Sequence, residues 1–295
     1  MSQAMQGTIR KATAGFYYIY QQDKWIECRA RGNFRARGVS PLVGDRVEYT
    51  VNGNKGMIEK ILPRKNSFIR PPMANLDQLF IVVSTVEPAP NYFVIDKLTS
   101  IAQYKQVQCT IVVTKWDLLE NHQLVDIYQK AGFGVIVANK NVCPDYKEQI
   151  GKLANKKISA FIGNSGVGKS TLLNKLDMKV VRETNAISNK LGRGKHTTRV
   201  VELFAIGEDT YLADTPGFSD VDLHKTEGIL KDDLADTFIE FLPYQNQCRF
   251  HDCHHVGEPG CRIFEAVEEG SISQSRYDSY RMLYQHIKDL RPWQL

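Results

Sequence analysis

The chain has 295 residues, of which 42% are hydrophobic and 24% charged, and a formal net charge of +5. This is the composition of an ordinary globular chain with room for two or three domains. It excludes a low-complexity polypeptide, and with no run of 18 apolar residues a membrane-spanning helix is not expected.

The charge is concentrated at the start. Residues 1–65 hold 12 Lys/Arg against 5 Asp/Glu, a net of +7, so the remaining residues together net −2. A basic first segment suits a polyanionic partner, nucleic acid above all. The opening MSQAMQGTIRKATAGFYYIY lacks the apolar run of a signal peptide, so a cytoplasmic protein is expected. The runs FYYIY, WIECRA and DRVEYTV, punctuated at Gly32-Asn33, Pro41, Gly44 and Asn52-Gly53, predict several short strands. A small β-barrel follows, an OB-fold first and an SH3-like barrel as the alternative. Within it RARGNFRAR places Arg29, Arg31, Arg35 and Arg37 around Phe34. Cations around one aromatic suit RNA phosphates and a single stacked base.

LPRKNSFIRPPMANLD is a proline-containing link, and the period then changes. LFIVVS, CTIVVT, VIVA and ISAFIG are buried-strand runs separated by helical faces: Val94, Leu98, Ile101 and Ala102; Leu124, Ile127, Tyr128 and Ala131; Tyr146, Ile150 and Leu153. Such alternation predicts a parallel sheet covered by helices. VVELFAI and TYLAD form a strand pair turning at Gly207-Glu208-Asp209.

Four motifs sit at the ends of these strands. Thr114-Lys115-Trp116-Asp117 follows CTIVVT. The Asp117 carboxylate offers two acceptors to the N1–H and N2–H₂ of guanine, a donor pair that adenine lacks. The Lys115 stem can cover the base, Thr114 can brace the loop, and Ala138 is the candidate N–H donor to guanine O6. Next comes Gly163-Asn164-Ser165-Gly166-Val167-Gly168-Lys169-Ser170, a full G-x-x-x-x-G-K-[ST] match after the strand of Ile158 to Ile162. Its backbone N–H groups cradle phosphates, Lys169 reaches the β- and γ-phosphates, Ser170 coordinates Mg²⁺ and Thr171 contacts the α-phosphate. In LGRGKHTTR, Thr197 or Thr198 supplies a further metal contact, Thr198 being taken as the ligand. Asp214-Thr215-Pro216-Gly217 closes TYLAD, with Asp214 holding Mg²⁺ through water and the Gly217 N–H sensing the γ-phosphate.

The order is base reader, phosphate loop, switch segment, D-x-x-G. Cyclic rotation of the usual GTPase order gives this arrangement with no site lost, because the site depends on strand ends rather than on chain order. The segment after D-x-x-G, Phe218 to His224, then leads directly into the C-terminal region. The GTP state is therefore expected to be passed on as a reorientation of that region.

Beyond Asp222 the strands stop. Residues Leu230 to Leu242 are expected to form a helix, and Tyr277, Tyr280, Tyr284 and Ile287 line one face of the last one. Cys28, Cys109 and Cys143 are scattered and read as buried small side chains in a reducing compartment. Cys248, Cys253, His255 and Cys261 instead form C-x4-C-x-H-x5-C, the donor set of a closed tetrahedral Zn²⁺ site. His251 and His254 compete for the fourth position.

The fold class is thus multi-domain α/β. It divides into an OB-fold over 1–65, a circularly permuted P-loop GTPase domain over 66–221, and a helical zinc-binding domain over 222–295. Through TKWD, GNSGVGKS, GKHTT, DTPGF and the cysteine cluster with its EPGC, the chain resembles, end to end, the ribosome small-subunit-dependent GTPase A family (RsgA, also called YjeQ). The resemblance implies one structural Zn²⁺ on Cys248, Cys253, His255 and Cys261. It also implies late maturation of the small (30S) ribosomal subunit, with GTP hydrolysis stimulated by that subunit and its rRNA. Phe218 stands where Ras-like proteins carry a water-orienting glutamine; His196 is the nearest substitute, and the resemblance points to it too. A monomer with no membrane partner is expected. Two other readings are a non-hydrolysing, GTP-gated RNA-binding adaptor and an ATP-using P-loop protein.

Overall fold

The computed structural model describes residues 4–32, 34, 38–53, 55–69, 71–176, 201–214 and 228–291. They belong to two compact units assembled from separate stretches of chain. One takes residues 1–78, 151–161 and 173–218, and the other takes 79–150, 162–172 and 219–295.

In the first unit β1 (Met5–Thr13), β2 (Phe16–Gln21) and β3 (Lys24–Ala30) form an antiparallel meander. β3 pairs in parallel with β5 (Lys55–Ile61), β5 runs antiparallel to β4 (Arg46–Asn52), and β4 returns antiparallel to β1. This closed five-stranded order is that of an OB-fold, not of the SH3-like alternative. Strand alternation turns Ile9, Ile19, Cys28, Val47, Tyr49 and Ile58 inward, all 0% exposed, each burial stabilising by roughly 1.5–3 kcal/mol. Gly44, at φ 90°, donates its N–H to Ile9 O at 2.8 Å; a Cβ there would lie 2.0 Å from Ala74 O. Only glycine permits that approach. Next to it the buried Asp45 carboxylate takes a two-pronged contact from Arg64, Nε at 2.7 Å and a terminal nitrogen at 2.8 Å.

The link after the barrel carries a two-residue ladder, β6 (Ser67–Phe68) with β7 (Met73–Ala74). β8 (Gln78–Ser84), β9 (Gln108–Thr114) and β10 (Gly134–Val137) follow, and β11 (Ile158–Ile162) leads to the phosphate loop. β12 (Glu202–Gly207) joins the barrel strand β1 at Lys11 opposite Glu202. It pairs antiparallel with β13 (Thr210–Asp214), which lies parallel to β11.

In the second unit β8 is buried along its whole length and β9 runs parallel to β10. α1 (Tyr92–Tyr104) starts at Asn91, whose side chain accepts from Val94 N; α2 (His122–Lys130) starts at Asn121, which accepts from Leu124 N. Both are side-chain N-caps that occupy otherwise orphaned donors. α3 (Tyr146–Ala154) and α4 (Lys169–Lys175) complete the helices before the C-terminal region.

The expected helix over Leu230 to Leu242 is not continuous. α5 (Lys231–Leu234) gives way to a 3₁₀ turn at Ala235–Thr237, Phe238 is extended at φ −102° and ψ 93°, and a second 3₁₀ turn covers Ile239–Phe241. The break lets two side chains serve one partner. The guanidinium of Arg276 lies 4.6 Å from the Phe238 ring and bonds Glu240 at 2.6 Å. On an unbroken helix Phe238 and Glu240 would point about 200° apart. α6 (Arg262–Glu268) and α7 (Gln274–Ile287) close the chain, with Tyr277, Tyr280, Tyr284 and Ile287 all buried along α7.

Candidate functional site

The phosphate loop turns through three glycines in conformations that side chains resist: Gly163 at φ 149°, Gly166 at 84° and Gly168 at 95°. A Cβ on Gly163 would stand 2.2 Å from Val82 O, so the loop lies directly against the end of β8. Lys169, first residue of α4, folds its ammonium back onto the loop and donates to Gly163 O at 2.5 Å and Asn164 O at 2.8 Å. Burial pulls its pKa below the usual lysine value. A poorly hydrated cation beside inward-turned backbone is a fit for phosphate oxygens. Ser170 is half-buried on α4 and Thr171 is exposed.

The tetrad Thr114 to Asp117 sits where β9 ends. Thr114 is buried, and its hydroxyl donates to Val167 O at 2.6 Å and lies 3.2 Å from Val83 O. It thereby ties the tetrad to the middle of the phosphate loop, 53 positions away in sequence. Thr85 bonds the tetrad twice more, its N–H to Thr114 O at 3.1 Å and its hydroxyl to Lys115 O at 2.8 Å. Lys115 takes a left-handed φ of 57° and donates to Glu87 O. Trp116 is buried edge-on against His122, with centroids 5.2 Å apart, and acts as the anchor of the loop. Asp117 is exposed and so can meet a base. Ala138 needs correction as an O6 donor, because its N–H is already given to Val113 O at 2.8 Å within the β9–β10 pair. A bare tetrapeptide search does not find Thr85; its only sequence signal is a hydroxyl placed directly after the strand run LFIVVS.

Asp214 is the last described residue of β13. His196, Thr197, Thr198 and Gly217, like the segment Phe218 to His224, lie outside the described residues.

Cys248, Cys253, His255 and Cys261 do converge, their ligand atoms all within 4.8 Å of one another. His255 Nδ1 is 3.5 Å from Cys248 Sγ and 3.5 Å from Cys261 Sγ. Metal–sulfur bonds of about 2.3 Å and metal–nitrogen bonds of about 2.0 Å fit inside such a cage. Burial lowers the His255 pKa and keeps the ring neutral, as a ligand must be. Burial also pushes the Cys253 and Cys261 thiols up, a cost that a dication among them would offset. His251 and His254 are outside the cluster; the His254 ring packs on Tyr284 instead. Glu258 is a residue that the spacing did not reveal. Its carboxylate accepts N–H bonds from His254 at 2.9 Å, Val256 at 2.8 Å and Gly257 at 3.1 Å. Burial works to raise its pKa, yet these donors hold it below the usual range. Glu258 therefore shapes the loop that presents His255. An acid immediately before Pro-Gly inside the cysteine cluster was the available signal.

In the basic loop of the barrel, Arg29 lies 4.8 Å over the Phe16 ring and Arg31 pairs with Glu59 at 2.7 Å. Phe34 is half-buried; Arg35 and Arg37 lie outside the described residues.

A barrel, a tetrad hydrogen-bonded to a phosphate loop that follows it in sequence, and a Cys₃His cage occur in one chain. The RsgA GTPase family model matches residues 61–224, and the RsgA N-terminal domain model matches residues 6–58. The chain belongs to the RsgA GTPase family. It resembles the small ribosomal subunit biogenesis GTPase RsgA of Alkaliphilus metalliredigens at 40% identity, over 97% of this chain and 99% of that one. The protein of the same name from Enterococcus faecalis is also 40% identical, over 98% and 97%. Among solved structures, YjeQ from Thermotoga maritima superposes with a TM-score of 0.79 at 30% identity, covering 98% of this chain and all of the other. YloQ, described as a circularly permuted GTPase, gives 0.74 at 32% identity over 98% and 97%. The permuted order read from the motifs is thus that of the RsgA family, and the chain is a GTP hydrolase of that family. Among the described residues no helix is long and apolar enough to cross a membrane.

Proposed function

We propose that this protein hydrolyses GTP to GDP and phosphate on the small ribosomal subunit, assists the late maturation of that subunit, and is stimulated by it. The observation that carries the reading is the Thr114–Val167 hydrogen bond, which makes a guanine-reading loop and a phosphate loop one rigid piece. The names of the relatives, small ribosomal subunit biogenesis GTPases, supply the partner.

Asp117 reads guanine through its exposed carboxylate, and the Lys115 stem covers the base. The N–H groups from Gly163 to Ser170 and the Lys169 ammonium hold the β- and γ-phosphates. Ser170, Thr198 and, through water, Asp214 would hold the magnesium ion, which offsets charge building on the transferred phosphate. His196 orients the attacking water, a role that Phe218 cannot fill. Stimulation by the subunit would act by placing His196 against the attacking water. Cys248, Cys253, His255 and Cys261 would hold zinc in a structural role, and Arg29, Arg31, Phe34, Arg35 and Arg37 contact rRNA. The protein works as a cytoplasmic monomer with three functional parts over 1–65, 66–221 and 222–295.

The test is phosphate release from GTP and from ATP, with and without small subunits. Turnover confined to GTP and raised sharply by the subunits is expected; a flat response to subunits overturns the ribosomal part. Asp117→Asn should move the preference from guanine to xanthine nucleotides.

A further inference from the structure

Residues 85–91, between β8 and α1, touch both the tetrad and the glycine loop and belong to neither. On the glycine-loop side the contact is apolar, with Pro88 Cδ 3.6 Å from where a Cβ on Gly166 would stand. On the tetrad side the contacts are polar. The Thr85 N–H donates to Thr114 O at 3.1 Å, and its hydroxyl donates to Lys115 O at 2.8 Å. The Lys115 ammonium returns to the same segment and donates to Glu87 O. Lys115 is thus gripped at both ends, its backbone by Thr85 and its ammonium by Glu87.

The grip has a physical purpose. Lys115 stands at φ 57°, a left-handed conformation that a residue with a Cβ keeps only where its surroundings enforce it. Freeing its carbonyl would let the peptide relax. The Lys115 stem would then swing, and so would Asp117, two residues on. Thr85 is well placed to prevent this. It is 3% exposed, and its neighbour Ser84, at the buried end of β8, braces the segment by donating to Pro88 O at 2.6 Å. A β-branched side chain has few rotamers, so the Thr85 hydroxyl is aimed before any nucleotide arrives. A loop ordered in advance loses less freedom on binding.

We propose that Thr85 is a positioning residue for guanine discrimination: by holding the Lys115 carbonyl it sets the left-handed turn through which Lys115 and Asp117 meet the base. The inference rests on the reading of the tetrad as the base reader. Thr85 acts through the tetrad and needs no contact with nucleotide. Its effect is therefore confined to the base, because the phosphates are held by the glycine loop and Lys169.

Competition against a fluorescent GTP analogue on the full-length protein would compare three ligands. These are GTP, inosine triphosphate, which keeps the N1–H and lacks the N2–H₂, and inorganic tripolyphosphate, which has no base. Wild type should prefer GTP to inosine triphosphate, since the second ligand leaves an Asp117 acceptor unpaired. Thr85→Val keeps the volume and removes the donor. It should weaken GTP binding about tenfold, narrow the preference for GTP over inosine triphosphate, and leave tripolyphosphate binding at the wild-type level. Thr85→Ser should recover most of the GTP affinity. If the valine variant keeps both the affinity and the preference, the positioning role is overturned and base reading by the tetrad stands. An equal loss of GTP and tripolyphosphate would make Thr85 a support of the whole site, which also overturns the role. No preference between GTP and inosine triphosphate in wild type would overturn base reading by Asp117, and the role of Thr85 with it. Should Thr85→Val not fold, Thr85→Ala carries the same comparison.

Discussion

The hydroxyl of Thr114 donates to the carbonyl of Val167 at 2.6 Å, which ties the loop of Thr114 to Asp117 to the glycine loop of Gly163 to Ser170. Both groups are buried. Thr114→Val keeps the shape and removes the donor, leaving the Val167 carbonyl unsatisfied at a cost of about 1–3 kcal/mol. GTP affinity should fall by about tenfold, corresponding to ~1.4 kcal/mol, while Thr114→Ser should stay near wild type. Titration with a fluorescent GTP analogue checks this, and an unchanged dissociation constant for the valine variant would remove the bond from the mechanism.

Two glycines of the phosphate loop should respond unequally to alanine. Gly163 meets Val82 O at 2.2 Å when a Cβ is added, and that neighbour is backbone in a wholly buried strand. At Gly166 the nearest atom is Pro88 Cδ at 3.6 Å, leaving only the strain of φ 84°, roughly 1–2 kcal/mol. Gly163→Ala should therefore abolish measurable nucleotide binding and lower the melting temperature. Gly166→Ala should keep a folded protein with weakened binding. Equal effects at the two positions would contradict the close approach of the loop to β8.

What sequence could and could not reveal follows from how far each interaction reaches. The buried strands β8, β9 and β11 were legible because continuous apolar runs next to turn residues have few other readings. The metal donors were legible because their spacing is local. Ala138 was misassigned because the fate of a backbone N–H depends on strand register, which a single strand does not encode. The break at Phe238 was hidden for a similar reason, since it serves Arg276, 38 positions later. Arg276 itself left a trace: it lies four residues before Tyr280 on the apolar stripe of α7, where an ordinary arginine would be out of place. Arg10 on β1 lies against the rings of Tyr20, Trp25 and Tyr211, which come from three other strands, and no local pattern announces it.

The Cys₃His cage should be a condition of folding for the C-terminal region. The donors are buried or half-buried around His255, and thiols left protonated there gain nothing from their packing. Purified protein should carry one metal ion per chain by elemental analysis. Removal by a strong chelator, or the change Cys253→Ser, should expose this region to limited proteolysis. Protons compete with the metal for thiolate sulfur, so apparent affinity should fall as pH is lowered. Unchanged proteolysis after complete metal loss would make the cage dispensable.

Arg276 should be the most costly single position in the C-terminal region. It is 0% exposed, with Nε at 2.6 Å from Glu240, a terminal nitrogen at 2.8 Å from Asp96, and Thr99 Oγ1 at 3.0 Å from that same nitrogen. Asp96 and Thr99 lie on α1, between β8 and β9, while Arg276 is on α7, so this cluster fastens the last helix to the α/β region that carries the Thr114–Asp117 tetrad. Asp96 and Glu240 oppose the burial cost of the guanidinium and keep it charged. Arg276→Met would leave both carboxylates buried without a cation, a loss of about 3–5 kcal/mol. Arg276→Lys should rescue little, because a point charge cannot fork to Glu240 and also lie against the Phe238 ring. Urea unfolding measures the loss, and hydrogen exchange locates it to α1 and α7. A reorientation of the C-terminal region with GTP state would have to move α1 along with it or break this cluster. If Arg276→Met unfolds within 1 kcal/mol of wild type, the cluster holds nothing together, and the last helix is free to swing on its own.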